Sequence, residues 1–317
     1  MAMGKKMKLR IITTGLILTV GIFVSLRMVN PVTEQQDFFY EVIEASLPLQ
    51  ELPEPTRAER VMRAIHEAHP QRISRVESRN DDWAVLLDDT WFYFAEGRLL
   101  PGDLRHRAME YRHAPIYYYP HELPSLEELT SEQINSTLNF VNTRAVQVRP
   151  FYFFNALYRA HDREESYRQQ RSVRFLGHTV RVHYAVTPAL ALVENRILET
   201  ARTDPSVRAW VDNIDRLYGW VWRNIGGTQN RSFHSYGIAI DIMPRLTGGR
   251  EVYWRWAGSN WLTLPYERRY HPPNIVIQAF ESFGFIWGGK WPVFDTIHFE
   301  FRPELLLYNN FILETVP

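Results

Sequence analysis

The run Gly237-Ile-Ala-Ile-Asp-Ile242 limits the fold more tightly than any other part of the chain. Ile238, Ile240 and Ile242 alternate with Ala239 and Asp241, and a period of two is the mark of a strand. The isoleucines then face a core, and Asp241 shares the other face with a small residue. A carboxylate within so apolar a run is costly to bury alone, and calls for a metal ion or a cation beside it. His234, seven residues earlier, is a second metal-ligating side chain. That separation does not make the two neighbours on one straight strand. A turn must intervene, and Gly237 supplies the freedom for it.

The chain has 317 residues and no cysteine. Disulfides, thiolate metal sites and cysteine nucleophiles are excluded, so any zinc must use histidine and carboxylate ligands. Lysine plus arginine equals aspartate plus glutamate at 36 each, which gives no support for a nucleic-acid partner. With 45% hydrophobic residues the chain can build a large core.

The N-terminus has its own character. Lys5, Lys6, Lys8 and Arg10 precede an uncharged stretch from Ile11 to Leu26. Arg27 can snorkel, which extends the apolar span to Val29. A bilayer-crossing helix needs roughly 17–25 residues, and no small-x-small cleavage pattern follows. Residues 1–31 are therefore expected to form an uncleaved signal anchor with its basic flank in the cytoplasm. The expected location is a single-pass membrane protein whose remaining chain lies on the extracytoplasmic, periplasmic side.

Residues 32–172 form a mixed α/β region without a chemical motif. Residues 32–70 look helical. Thr56 and Glu59 have capping-box spacing, with Val61, Ala64, Ile65 and Ala68 on one face and Pro70 as a stop. Trp83–Leu87 and Trp91–Phe94 flank Asp88-Asp89-Thr90 as a hairpin. Pro115–Pro124 reads as an irregular loop, Ser125 and Glu128 as the cap of a helix, and Ser131–Asn142 as helical. After residue 172, His178–Val186 alternates like a strand. Thr187-Pro188 and Asp204-Pro205 start helices. The second would carry Val207, Trp210, Val211, Ile214 and Leu217 on its apolar face and stop at Gly219. Trp220–Ile225 and Ile297–Phe301 read as strands, and Asn274–Phe283 as a helix. Helices and strands mix without regular alternation, so the class is α+β.

The second chemical segment is Phe294-Asp-Thr-Ile-His-Phe-Glu300. His298 is a third ligand candidate. Three protein ligands with one open position is the pattern of a catalytic rather than a structural zinc. Asp295, three residues before it, is a candidate proton acceptor. Glu300 shares the strand face of His298 and can support it.

Taken together, Ser232-x-His234-x-x-Gly237-x-Ala239-x-Asp241, then Gly284-Phe-x-Trp287-Gly-Gly-x-Trp291 and Asp295-x-x-His298-Phe-Glu300, resembles the VanY-type zinc peptidases. These include D-alanyl-D-alanine carboxypeptidases and L-alanyl-D-glutamate endopeptidases. The resemblance covers roughly residues 173–317. It implies a hedgehog/DD-peptidase-like domain with a central antiparallel sheet, and Zn2+ held by His234, Asp241 and His298. It implies Asp295 as general base and an arginine ahead of the histidine motif. Arg223, in Trp222-Arg-Asn-Ile-Gly-Gly-Thr228, is the match, with Arg231 a nearby rival. The implied partner is the stem peptide of peptidoglycan, with Ser232, Trp287 and Trp291 as candidate substrate contacts. The competing class is a zinc-bearing binding module that has lost catalysis, against which an intact Asp295 speaks. The chain departs from the family pattern in a long aromatic and basic insertion between Asp241 and Asn274.

Overall fold

The computed structural model describes residues 54–126, 129–142, 148–225 and 229–314. The expected anchor at 1–31 lies outside them. No described helix is long and apolar enough to cross a membrane.

Helix α1 (Glu54–Ala68) opens the described chain. Val61, Met62 and Ile65 recur at helical spacing and are essentially buried. Each such side chain contributes about 1.5–3 kcal/mol through burial. The helix begins before Thr56, so Thr56 lies inside it and does not cap it. Pro55 in the first turn lacks only an N–H that has no helical partner there. A meander follows: β1 (Ile73–Arg79), β2 (Asp82–Leu87), β3 (Thr90–Tyr93) and β4 (Leu100–Pro101), in sheet order β1-β2-β3-β4. Asn80 and Asp81, with φ of 52° and 61°, make the two-residue turn whose hand suits twisted strands. Leu87 pairs with Thr90 across Asp88-Asp89, the hairpin read from the sequence.

Residues 115–124 are irregular, as expected, yet Ile116, Tyr117 and Tyr119 are buried. Helix α2 (Ser131–Asn142) follows. The described residues around Ser125 are not helical, and Glu128 lies outside the described residues; the Pro124 carbonyl accepts from the Tyr266 hydroxyl at 2.7 Å. Two short helices, α3 (Tyr152–Leu157) and α4 (Arg163–Arg168), lead to the hairpin β5 (Gln170–Phe175) and β6 (His178–His183). The expected boundary at residue 172 falls inside β5.

Helix α5 (Thr187–Thr200) has its proline in the first turn and buries Leu190, Val193 and Ile197. Helix α6 (Pro205–Asp212) is capped by Asp204, which accepts from the amides of Ser206 and Val207. It stops at Asp212. Ile214 and Leu217 belong instead to strand β7 (Ile214–Tyr218), because pairing with β8 (Ala239–Pro244) outweighs the helical period. Correspondingly, Trp220–Ile225 is not a strand; it holds one isolated bridge, Asn224 to Arg231. Helix α7 (Asn274–Ser282), β9 (Phe285–Trp287), β10 (His298–Phe301) and α8 (Pro303–Tyr308) complete an α+β fold with antiparallel sheets.

The site sheet has the order β7-β8-β10-β9, so β9 is an edge. Residues 115–124 lie along that edge. The Trp287 amide donates to the Tyr119 hydroxyl at 2.9 Å, and Tyr119 donates to Glu281. Lys290 donates to the His121 carbonyl and Asn309 to that of Tyr117. One hydrophobic core runs from Ala58 in α1 to Leu306 in α8 and takes in both halves of the chain.

Candidate metal centre

The site is built on a register. Across the β8–β10 ladder His298 pairs directly with Asp241, which brings cross-strand side chains within about 5 Å at Cβ. His298 Nδ1 is 2.9 Å from Asp241 Oδ1. His234 arrives from the 3-10 turn Phe233–Tyr236, which Gly237 ends with a left-handed φ of 75°. A Cβ on Gly237 would stand 1.9 Å from Gln170 Oε1, so the turn also needs glycine for space. His234 Nε2 then lies 3.3 Å from Asp241 Oδ2. The three ligand atoms fall within 4.8 Å of one another.

The other nitrogen of each imidazole is held. His234 Nδ1 donates to the Gly219 carbonyl at 2.7 Å, which leaves a lone pair on Nε2 facing the cluster. His298 Nε2 sits 3.3 Å from Glu300 Oε2, which turns Nδ1 inward. Partners of this kind fix tautomer and ring orientation in metal sites. His234, Asp241, Asp295 and His298 are each at most 3% exposed. Among the described residues His234 Nε2, Asp241 Oδ2 and both carboxylate oxygens of Asp295 are buried without a hydrogen bond of good geometry, although His234 stands near enough to lower Asp241 and the Ile297 amide near enough to lower Asp295. Buried orphans are costly, and four together, two nitrogen-and-oxygen donors from a His-Asp-His set among them, fit a divalent cation of the zinc type.

The two carboxylates are driven apart. Burial would raise Asp241, but the neighbouring His234 and His298 outweigh it and hold it below the ordinary carboxylate range. Burial pushes Asp295 well up, and the Asp241 charge adds to that. Arg223 opposes, and its charge also reaches His298 and Tyr253, so the guanidinium stands at this site. Arg231 does not. It donates to Asn155 and the Ala160 carbonyl and lies 4.2 Å over the Trp222 ring.

Three expected substrate contacts are placed differently. Ser232 is fully buried, and its hydroxyl accepts from the His234 amide, shaping the turn. Trp287 donates through Nε1 to the Thr296 carbonyl, and Gly289 packs flat on its ring, where a Cβ would come within 2.1 Å. Trp291 lies 5.5 Å from the His298 ring. Both tryptophans are at most 2% exposed. They sit within the core rather than line an open groove: the Trp287 amide meets Tyr119, and Pro124, Leu126 and Leu129 share a small cavity with Trp291.

Other side chains at the centre were not singled out by motif. Tyr253 forms a bridge with Asp295, and the Trp254 amide bonds the Phe294 carbonyl. The insertion thus buttresses the Asp295 loop, with Trp254 and Trp261 packed at 4.7 Å. Past the end of β10, Arg302 and then Glu304, in the first turn of α8, extend the buried charged series begun by His298 and Glu300. Burial pushes Glu300 up to about 8 against the pull of Arg302. Burial acts on Glu304 too, but Arg302 and His69 outweigh it and hold it down to about 2. The sequence signal was present: titratable residues recur at every second position from His298 to Glu304, across the end of an apolar strand and into the next helix.

A family model described as D-alanyl-D-alanine carboxypeptidase matches residues 226–301, the segment that carries His234, Asp241, Asp295 and His298. A model for a domain of unknown function matches residues 61–116. No solved structure matches the chain. The first match supports a peptidase of that family.

Proposed function

We propose that the chain is a zinc-dependent peptidase that hydrolyses the stem peptides of bacterial peptidoglycan, as a D-alanyl-D-alanine carboxypeptidase or an L-alanyl-D-glutamate endopeptidase. The observation that carries this reading is the convergence of three buried ligand atoms beside an Asp295 carboxylate whose oxygens make no well-formed hydrogen bond among the described residues. His234, Asp241 and His298 would hold the ion. When bound, it would supply Lewis-acid activation of a water and of the scissile carbonyl.

The protein's own groups have distinct parts. Asp295, in a water-poor environment, is the proton acceptor and returns the proton to the leaving amine. Arg223 stabilises negative charge developing on the carbonyl oxygen. Glu300 and the Gly219 carbonyl keep the two imidazoles in orientation. Residues 1–31 would tether the chain so that this site faces the wall.

The test is incubation of the zinc-loaded full-length protein with purified stem peptides, with products read by mass spectrometry. Release of terminal D-alanine marks the carboxypeptidase, and release at L-alanyl-D-glutamate the endopeptidase. Asp295→Asn should retain the metal and lose either product by at least about 100-fold. Stoichiometric zinc with no cleavage of any stem peptide would instead favour the binding module.

A further inference from the structure

We infer that the N-terminal region positions the metal ligand His298 through a buried chain of ionic side chains that ends on His69; this rests on the metal centre proposed above. Glu300 Oε2 meets His298 Nε2 at 3.3 Å. Glu300 Oε1 accepts from Arg302 Nη1 at 3.1 Å, and Arg302 Nε donates to Glu304 Oε1 at 2.5 Å. Glu304 Oε2 meets His69 Nε2 at 3.3 Å. His69 stands at the corner between α1 and β1, where its carbonyl accepts from the amides of Arg72 and Ile73. Arg302 Nη2 also donates to the Pro115 carbonyl, and the guanidinium lies over the rings of Phe154 and Phe233.

Glu300, Arg302 and Glu304 are essentially without solvent. Each must therefore be held by its neighbour in the chain. Glu300 can orient an imidazole only if its second oxygen is fixed, and Arg302 fixes it. Arg302 in turn would be a buried cation of uncertain direction without Glu304 and the Pro115 carbonyl. Glu304 is aimed by His69. Three of the groups that hold this series in place, His69, Pro115 and Phe154, belong to the N-terminal region. Its role, on this geometry, is to complete the support of a metal ligand rather than to act as a detachable module. Loss of such outer partners typically weakens metal binding about 10–100-fold.

The experiment uses full-length protein and the variants His69→Ala, His69→Gln and Arg60→Ala. Arg60 supplies a different link between the same regions, donating to the Tyr308 carbonyl at 3.0 Å outside the ionic series. Zinc affinity is read by competition with a chromophoric chelator, and ligand geometry by the visible spectrum of the Co2+ form. Metal-free thermal melts report folding. Glutamine at 69 can still donate to Glu304. The expected result is a loss of about 10-fold in zinc affinity and an altered Co2+ spectrum for His69→Ala. His69→Gln should restore both, and Arg60→Ala should lower the melting point without changing either. A folded His69→Ala protein with unchanged affinity and spectrum overturns the inference. If His69→Ala does not fold, the same readouts on His69→Gln and Arg302→Lys decide it. Arg302→Lys should weaken zinc binding while His69→Gln does not, and equal, unchanged affinity in both overturns it. Absence of stoichiometric zinc in the wild type overturns the metal centre itself and this inference with it.

Discussion

His183 gives the sharpest quantitative expectation. It is 1% exposed, its Nδ1 accepts from the Ala185 amide at 3.1 Å, and its Nε2 lies 3.0 Å from the Tyr158 carbonyl. That arrangement requires the neutral ring, since a second proton would set N–H against N–H at Ala185. Burial pushes the imidazole down to about 4 from its ordinary 6.5, with Arg72 and Arg171 adding to it and the Tyr158 carbonyl opposing. The folded-state value is depressed, so the unfolded chain binds a proton here that the folded chain refuses. Stability is therefore full above 6.5 and falls as pH drops toward 4. At about 1.4 kcal/mol per pH unit, the loss is about 2 kcal/mol by pH 5 and about 3 kcal/mol by pH 4. Urea denaturation of wild type and His183→Gln, both with chelator present, isolates the effect, because other titrating groups cancel in the difference. The variant should be weaker than wild type at neutral pH and gain on it by about 2 kcal/mol between about pH 7.5 and about pH 5. Parallel stability curves for the two proteins would refute the assignment of a buried, obligatorily neutral imidazole.

Three further outcomes are expected. Gly237→Ala combines a left-handed φ, worth about 1–2 kcal/mol, with a forced displacement of Gln170 worth about 1–3 kcal/mol; a loss below about 1 kcal/mol in denaturant titration would show that the turn tolerates a side chain. Trp287→Ala should destabilise by about 3–5 kcal/mol, as for a core aromatic, whereas a groove-lining tryptophan would leave the unfolding midpoint nearly unchanged. Zinc at about 100 times its dissociation constant should raise stability by about 2.7 kcal/mol, and Asp241→Ala should abolish that increment in thermal melts; an increment that survives would place the metal elsewhere.

Elements with strong local punctuation were legible in the sequence. Asp204-Pro205, Thr187-Pro188, the Asp88-Asp89 turn and the alternating β8 isoleucines all state their structure within a few residues. The α6–β7 junction was not legible, because Ile214 and Leu217 satisfy the helical period and only the ladder to β8 decides against it. The residues that meet at the candidate centre could be read from Asp241 in its apolar strand and from the His298 segment. What surrounds them could not. Trp287 and Trp291 look the same in sequence whether they line a groove or a core, and it is the distant Tyr119 that closes the edge over Trp287. His69 and Glu304 meet across 235 residues, a contact that no local pattern announces.

The placement of the 115–124 segment constrains how an extended peptide can approach. A marginal strand normally offers a row of amides that a second chain can join by strand addition. On β9 the Trp287 amide already belongs to Tyr119. Under the proposed function, a stem peptide finds that amide taken, and it would reach the centre either over the face of the sheet or after the segment lifts. In the second case the rate of turnover would follow the opening of Tyr119 and its neighbours rather than the chemistry at Asp295.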